Sequence, residues 1–323
     1  MSQRSRGVAL ITVMLVAALA SVIVYNMLSR HHMAVAKTRQ VVYSSQALNY
    51  ALGAEAYARQ ILYADFEEES GTNGGGHVDS RADAWAEVMA PFEVEQGAIE
   101  IQITDLDGLF NLNWLASSGR LQREHLARFK NLLVDLKLDP NVADAVADWV
   151  DKDLDVNGFG AEDGQYLLQD PPYRAANANF TSVSELRLLP GIDNEVYLAL
   201  APYVTALPST NGRININTVQ GAVLRSISTA LDPGQMESIA MGDQVYDNVQ
   251  QLISEVPELA PHVRLLAVRS RFFRIRVRSS YADQTVRMES IVHRNPTNGE
   301  MLVISREFGV RFITQLNDDE EPS

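Results

Sequence analysis

Cysteine is absent from this chain of 323 residues, which excludes a disulfide framework and any thiolate-ligated metal and leaves the redox compartment open. Positive charge is scarce beside negative. Lys and Arg number 27 against 41 Asp and Glu, a formal net charge of -14 with a pI near 4.9. Phosphate backbones are gripped by clustered basic residues that release counterions, so nucleic acid is disfavoured as a partner and cations are favoured. No phosphate-binding loop is present: the glycine-rich run at 71–76 lacks the Lys-Ser/Thr of a P-loop, and the six histidines show no ligand spacing. We therefore expect no enzyme, with paired carboxylates left open because their separation in space is not written in a sequence. What is present is ordinary globular composition, 46% hydrophobic and 21% charged, in a length that suits one or two folded units with appendages.

Charge is also missing from Gly7 to Ser29, roughly 23 positions and enough for a helix to cross a ~30 Å hydrocarbon core. Arg4 and Arg6 precede this run. Ala18-Leu19-Ala20 has the small-x-small form of a signal-peptidase site, so release as a secreted, calcium-dependent enzyme is one alternative. The apolar pattern nevertheless continues past it through Val22, Ile23, Val24, Met27 and Leu28, then at helical spacing through Val35, Val41, Leu48, Leu52 and Ile61. One long helix from membrane to soluble domain is the simpler reading. RGVALITVMLVAAL resembles a class III prepilin signal, which implies cleavage by prepilin peptidase between Gly7 and Val8. Pilin-like proteins usually carry Glu at the fifth mature position; Thr12 stands there and cannot pair with the terminal amine of a neighbouring subunit.

Farther on, residues 67–83 are glycine-rich and charged and read as a flexible loop. AIEIQIT (98–104) alternates as a half-buried strand. From roughly 113 to 256 the pattern turns helical, with Leu121, Leu126, Phe129, Leu132 and Leu133 near one face. Strands return at 272–281, 284–294 and 301–308, separated by Asn295-Pro296 and Asn298-Gly299, as an antiparallel meander. TSVSELRLLPGI (181–192) and DNVQQLISEVPEL (247–259) align loosely as helical hairpins. Helix-hairpin-helix units can grip DNA phosphate, so a membrane-tethered DNA-binding or uptake protein is a second alternative. Acidic flanks such as Asp193 and Glu195 favour a packing role.

Asp151, Asp153 and Asp155 recur at alternate positions, followed by Asn157, Glu162 and Asp163. A hard divalent cation takes six to eight oxygens, and alternate Asp side chains with a later bidentate Glu are calcium-loop spacing. Val156 occupies the position where an EF-hand needs Gly, and prolines interrupt the following segment, so the stretch is EF-like rather than an EF-hand. A solvated acidic loop is the bland explanation. Asp170 and Asn177 are further candidate ligands, and Asp105 and Asp107 would join only if the fold brought them near.

DLDGLFNLNWL (105–115), residues 148–180, SELRLLPGI (184–192) and GRININT (212–218) resemble the general secretion pathway protein K family, the K-type minor pseudopilins of type II secretion. The resemblance implies an α+β fold: a pilin-like long N-terminal helix packed on an antiparallel sheet, with a large inserted α-helical domain. It divides the chain into a leader (1–7), a transmembrane segment (8–29), a periplasmic helix (30–64) and first strands (65–112). An insertion (113–218), a second helical segment (219–269), C-terminal strands (270–317) and an acidic tail (318–323) follow. It also implies bound calcium, the I-type and J-type minor pseudopilins as partners, contact with secreted protein substrates, and a single-pass inner-membrane anchor with the globular part in the periplasm.

Overall fold

The computed structural model describes residues 4–72, 77–87, 89–209 and 212–310; the acidic tail at 318–323 lies outside the described residues. Helix α1 (Arg4–Thr72) runs unbroken for 69 residues, roughly 100 Å at 1.5 Å per residue. Its Leu10–Leu28 stretch is exposed and it contains an 18-residue window of mean hydropathy 2.2, long and apolar enough to cross a membrane. The distal half behaves differently. Ala47, Ala51, Ala54, Ala58 and Leu62 fall at three- and four-residue spacing and are buried, so one narrow stripe of small side chains lets the helix lie close on a sheet.

That sheet has β1 (Phe92–Val94) and β2 (Gly97–Asp105) from the first part of the chain. The insertion carries four two-residue strands that pair in parallel: β3 (Phe110–Asn111) with β4 (Val204–Thr205), and β5 (Ile214–Asn215) with β6 (Leu266–Ala267). The main sheet resumes with β7 (Phe272–Tyr281), β8 (Gln284–Arg294) and β9 (Met301–Phe308), in the order β1-β2-β7-β8-β9, all antiparallel. Register opposite α1 places Ile101 across from Val277 and Ile103 across from Ile275, and these four join Phe273, Met288 and Val292 against the alanine stripe. Trp85 closes the end of this core, its ring edge-on to Phe273 at 5.2 Å.

Between β2 and β7 lies the helical insertion, with α2 (Gly119–Asp135), α3 (Val142–Val150), α4 (Asp163–Tyr166), α5 (Asn194–Leu200), α6 (Gly221–Ile227), α7 (Pro233–Met241) and α8 (Val249–Glu255) around a second core. Phe110, Leu112, Trp114, Phe129, Leu132 and Leu133 sit in it. The inward face of α2 differs from the leucine pattern. Leu121 is exposed, whereas His125 and Arg128 are buried, the guanidinium lying over Trp114 at 5.2 Å and Phe110 at 5.7 Å. Cation–π contact makes an Arg acceptable where apolar periodicity alone expects a hydrophobe. The fold is thus a pilin-like helix on an antiparallel sheet with a helical insertion.

Two buried N-x-N pairs pin the loops of the insertion. Asn113 donates to Phe180 O (3.0 Å) and accepts from Phe180 N (2.7 Å); Asn217 does the same with Tyr246 O (3.1 Å) and Tyr246 N (2.9 Å). A side-chain amide offers a donor and an acceptor together, so each stands in for a strand partner where the backbone has none. The reading of 67–83 as a flexible loop is corrected. Helix α1 continues to Thr72, residues 73–76 lie outside the described residues, and His77, Asp79 and Ser80 are buried. Polarity misled because these groups are paired inside: Asp79 accepts from the buried Arg294 and from Ser270 N (2.6 Å).

Glu55 fixes α1 to the far side of the sheet. It is 1% exposed and accepts from Ser290 Oγ (2.8 Å) and from Arg306, with Arg59 at 3.4 Å. Burial alone would raise its pKa. The bonds from Arg306 and Ser290 and the charges of Arg306 and Arg59 outweigh that and hold the carboxyl below its ordinary value. A depressed folded pKa supplies stability above the unfolded value, lost as pH falls through the folded one. Glu55→Ala is expected to cost about 2 kcal/mol at pH 7, less than for a fully buried pair because Arg306 can reach solvent. Urea denaturation of the full chain in detergent should show that difference shrinking below pH 4.5, the ordinary carboxyl value.

Candidate metal centre

The acidic loop begins where α3 ends. VADAVADWV is buried along its whole length, and its two carboxylates, Asp144 and Asp148, stand one turn apart on one face. Asp148 accepts from Asn157 N (3.2 Å) and Asn157 Nδ2 (3.1 Å); Asp144 accepts from Phe159 N (3.2 Å) and pairs with Lys130 (2.6 Å). The helix therefore holds the back of the loop. The sharp turn expected of a glycine comes two residues later than in an EF-hand, at Gly158 with φ +59, and a Cβ at Gly160 would lie 1.9 Å from Asp148 Oδ2.

This anchoring swings the front of the loop onto its end. Asp151, Asp153 and Glu162 each bring one carboxylate oxygen within 4.8 Å of the others. Glu162 is 6% exposed, yet neither of its oxygens has a hydrogen-bond partner; Asp151 Oδ1 and Asn177 Oδ1 are buried and equally unpartnered. Asn177 is oriented by its own amide, which donates to Asp153 O at 3.1 Å, and it takes a left-handed φ of 43°. Four buried acceptors without a donor are costly unless something positive satisfies them.

Electrostatics agree. Burial first, then the charges of Asp148, Asp151 and Asp153, push Glu162 up to about 7. Burial, then Asp153 and Asp148, push Asp151 to about 6. All the donors are oxygens, which suits a hard cation of the calcium type better than a transition metal.

The other sequence candidates are placed as follows. Asp155 is exposed and its carbonyl accepts from Asn157 Nδ2 (3.2 Å); the Asn157 amide is turned to Asp148. Asp163 accepts from Ala175 N (3.0 Å) and faces Arg174 at 3.4 Å. Asp170 is exposed at a cis bond to Pro171. Gly7 and Val8 lie within α1. Asp105 and Asp107 belong to a buried cluster with Asn215, Thr218 and Ser270: Asp105 accepts from Thr218 Oγ1 and from Ser270 Oγ (2.6 Å), and Asp107 from Phe272 N (3.1 Å). Sequence reasoning missed Asp144 and Asp148, although an Asp repeated every four residues on an otherwise apolar helix is the available signal.

Asp65, His77 and Asp79 form another grouping within 4.8 Å, but the buried Arg294 pairs with Asp79 and lies 3.8 Å from Asp65, so a guanidinium already supplies the positive charge. The helix-hairpin-helix reading meets a specific obstacle: the first amides of α5 are capped by Asp193, whose carboxylate accepts from Val196 N at 2.9 Å where a phosphate would need to bind.

The family model for type II secretion system protein K matches residues 108–209, the stretch that holds α2, α3, the acidic loop and α5. Type II secretion system protein K of Pseudomonas aeruginosa is 34% identical over 96% of this chain and 94% of its own. The protein of the same name from Aeromonas hydrophila is 31% identical over 92% and 95%. Among solved structures, the GspK-GspI-GspJ complex of the enterotoxigenic Escherichia coli type 2 secretion system contains a chain that superposes with a TM-score of 0.74 at 24% identity, covering 85% of this chain and all of that one. With near-complete coverage at this identity in more than one relative, the chain belongs to the type II secretion system protein K family.

Proposed function

We propose that this protein is the minor pseudopilin that caps the tip of the periplasmic pseudopilus and helps to start its assembly for export of folded proteins. The observation that carries the reading is the position of the helical insertion. It interrupts the sheet between β2 and β7, so its bulk stands beside the end of the pilin-like module and would not fit inside a close-packed shaft. Thr12 supports the same end position. Without a carboxylate there, α1 has no charge to offer the terminal amine of a subunit stacked beyond it.

In this reading prepilin peptidase cuts between Gly7 and Val8 on the cytoplasmic side, and the apolar part of α1 that remains anchors the chain in the inner membrane until assembly. I-type and J-type minor pseudopilins pack beside it, a proposal supported by the name of the complex in which the superposed chain was solved. Asp151, Asp153 and Glu162 would hold a calcium ion at the acidic loop, and the buried, unpartnered Asn177 Oδ1 is a further candidate ligand. When bound, the ion neutralises these carboxylates and ties the loop to the end of α3; the residues themselves are preset by Asp148 and Asp144.

N-terminal sequencing of the protein taken from membranes should read from Val8; a start at Ser21 would mean signal-peptidase release and end the pilin reading. Adding EGTA should lower the melting temperature of the full chain in detergent, and Glu162→Gln should abolish most of that shift. No change with EGTA would remove the calcium claim. The pH dependence has a definite sign. Glu162 and Asp151 have raised folded pKa values, so in the metal-free protein they favour folding at low pH and oppose it as pH rises through about 6 to 7. The calcium-induced gain in melting temperature should therefore be larger at pH 7.5 than at pH 5, because deprotonated oxygens are the ligands.

A further inference from the structure

Where the inserted helices meet the end of the sheet there is an open cleft of about 760 Å³. Four arginines line it, Arg213, Arg264, Arg269 and Arg271, against two carboxylates, Asp107 and Asp247. In a chain with a net charge of -14 this is a local reversal of sign. The arginines come from separate places: Arg213 follows Gly212 before β5, Arg264 sits in the 3-10 turn Pro257–Leu265, and Arg269 and Arg271 flank Ser270 just before β7. The floor between them is the apolar strand β6 and the adjoining Val268.

Of the two carboxylates, Asp107 is already committed. It accepts from the backbone of Arg271 and Phe272 and lies 3.9 Å from the Arg271 guanidinium, which also donates to Ser209 Oγ at 3.2 Å. Arg271 is thereby held in place. Arg213 and Arg264 are both exposed, and the charge of Arg264 also acts on Glu124 of α2. Each guanidinium is a planar fork that matches a carboxylate through two parallel hydrogen bonds, and it is less strongly hydrated than an ammonium, so it gives up water readily to such a partner.

We propose that this cleft is a docking site for a protein segment bearing adjacent carboxylates. The charge is complementary. The volume lies in the range of ligand cavities and far exceeds one inorganic anion, and the apolar floor suits the stems of Glu side chains rather than a bare phosphate. The site is separate from the acidic loop and does not depend on the calcium reading. A partner carrying such a segment would be steered to this one face, while the rest of the acidic surface repels it.

The test uses the full chain in detergent and a fluorescein-labelled tetra-glutamate peptide, followed by fluorescence anisotropy. Binding is expected to saturate, to weaken as sodium chloride is raised, and to be absent for the tetra-glutamine peptide. Arg213→Glu with Arg264→Glu should weaken it roughly tenfold or more, as expected for losing charged contacts at an interface. Arg213→Lys with Arg264→Lys should retain part of it, and circular dichroism should show both variants folded. Equal binding of the two peptides, or binding untouched by charge reversal, overturns the proposal. So does saturable binding of inorganic phosphate with none of the peptide. A chain ending at Asn317 gives a further check: if it binds the peptide more tightly, the chain's own Asp318–Glu321 segment fills the cleft and the partner reading fails.

Discussion

The structure depends on a buried polar joint between its two cores. Asp79, Asp105 and Arg294 meet there with Asn215, Thr218 and Ser270, drawn from five segments: the stretch after α1, the end of β2, the end of β8, the β5 turn, which supplies both Asn215 and Thr218, and the lead into β7. Burial, followed by the nearby charge of Asp107, pushes Asp105 up to about 7, and bonds from Ser270 and Thr218 oppose the rise. An apolar joint could slide. Directional bonds to buried carboxylates fix one angle between the inserted helices and the sheet, because any other leaves an unpaired charge inside the protein.

This joint explains which parts of the chain were legible. Alternation over 272–281 and 284–294 yields β7 and β8 because each has one buried face, and β9 at 301–308 follows as the edge strand, with Met301 and Val303 turned to the core and Leu302 and Ile304 exposed. The distinctive stretches DLDG and GRININT carry a family likeness, yet pattern reading could not say why: their Asp and Asn residues are spent on contacts distant in sequence, from Asn217 with Tyr246 to Asn215 with the carbonyl of Asp79. The same long-range pairing hid the order in 77–80. His125 and Arg128 were hidden for a related reason, since aromatic faces received them where periodicity expects leucine.

At the acidic loop, the spacing of Asp151, Asp153 and Glu162 was visible and the fold brings them together. What spacing could not reveal is the division of labour. Asn157 and Asp163 are occupied in holding the loop to Asp148 and to Arg174 with Ala175 N, while Asn177, some fifteen positions later, turns an unpartnered oxygen inward. A buried helix with two carboxylates on one face acts as the jig for the loop. The Arg-lined cleft at the opposite chemical extreme left no linear motif, since its four arginines are gathered from three separate turns.

The adjacency of β2 and β7 has a consequence for the order of folding. β2 ends at Asp105 and its neighbour begins at Phe272, so the sheet cannot close until the whole helical block has been made. The entropic cost of closing so long a loop falls if the block has already condensed around its own core, and the separate cluster from Phe110 to Val268 allows that. Until then the alanine stripe of α1 has no sheet to cover it. A chain tethered at its amino end would present that bare stripe beside the membrane throughout synthesis, and the last strands to emerge, β8 and β9, are the ones that bring Arg294 and Arg306 to lock it down.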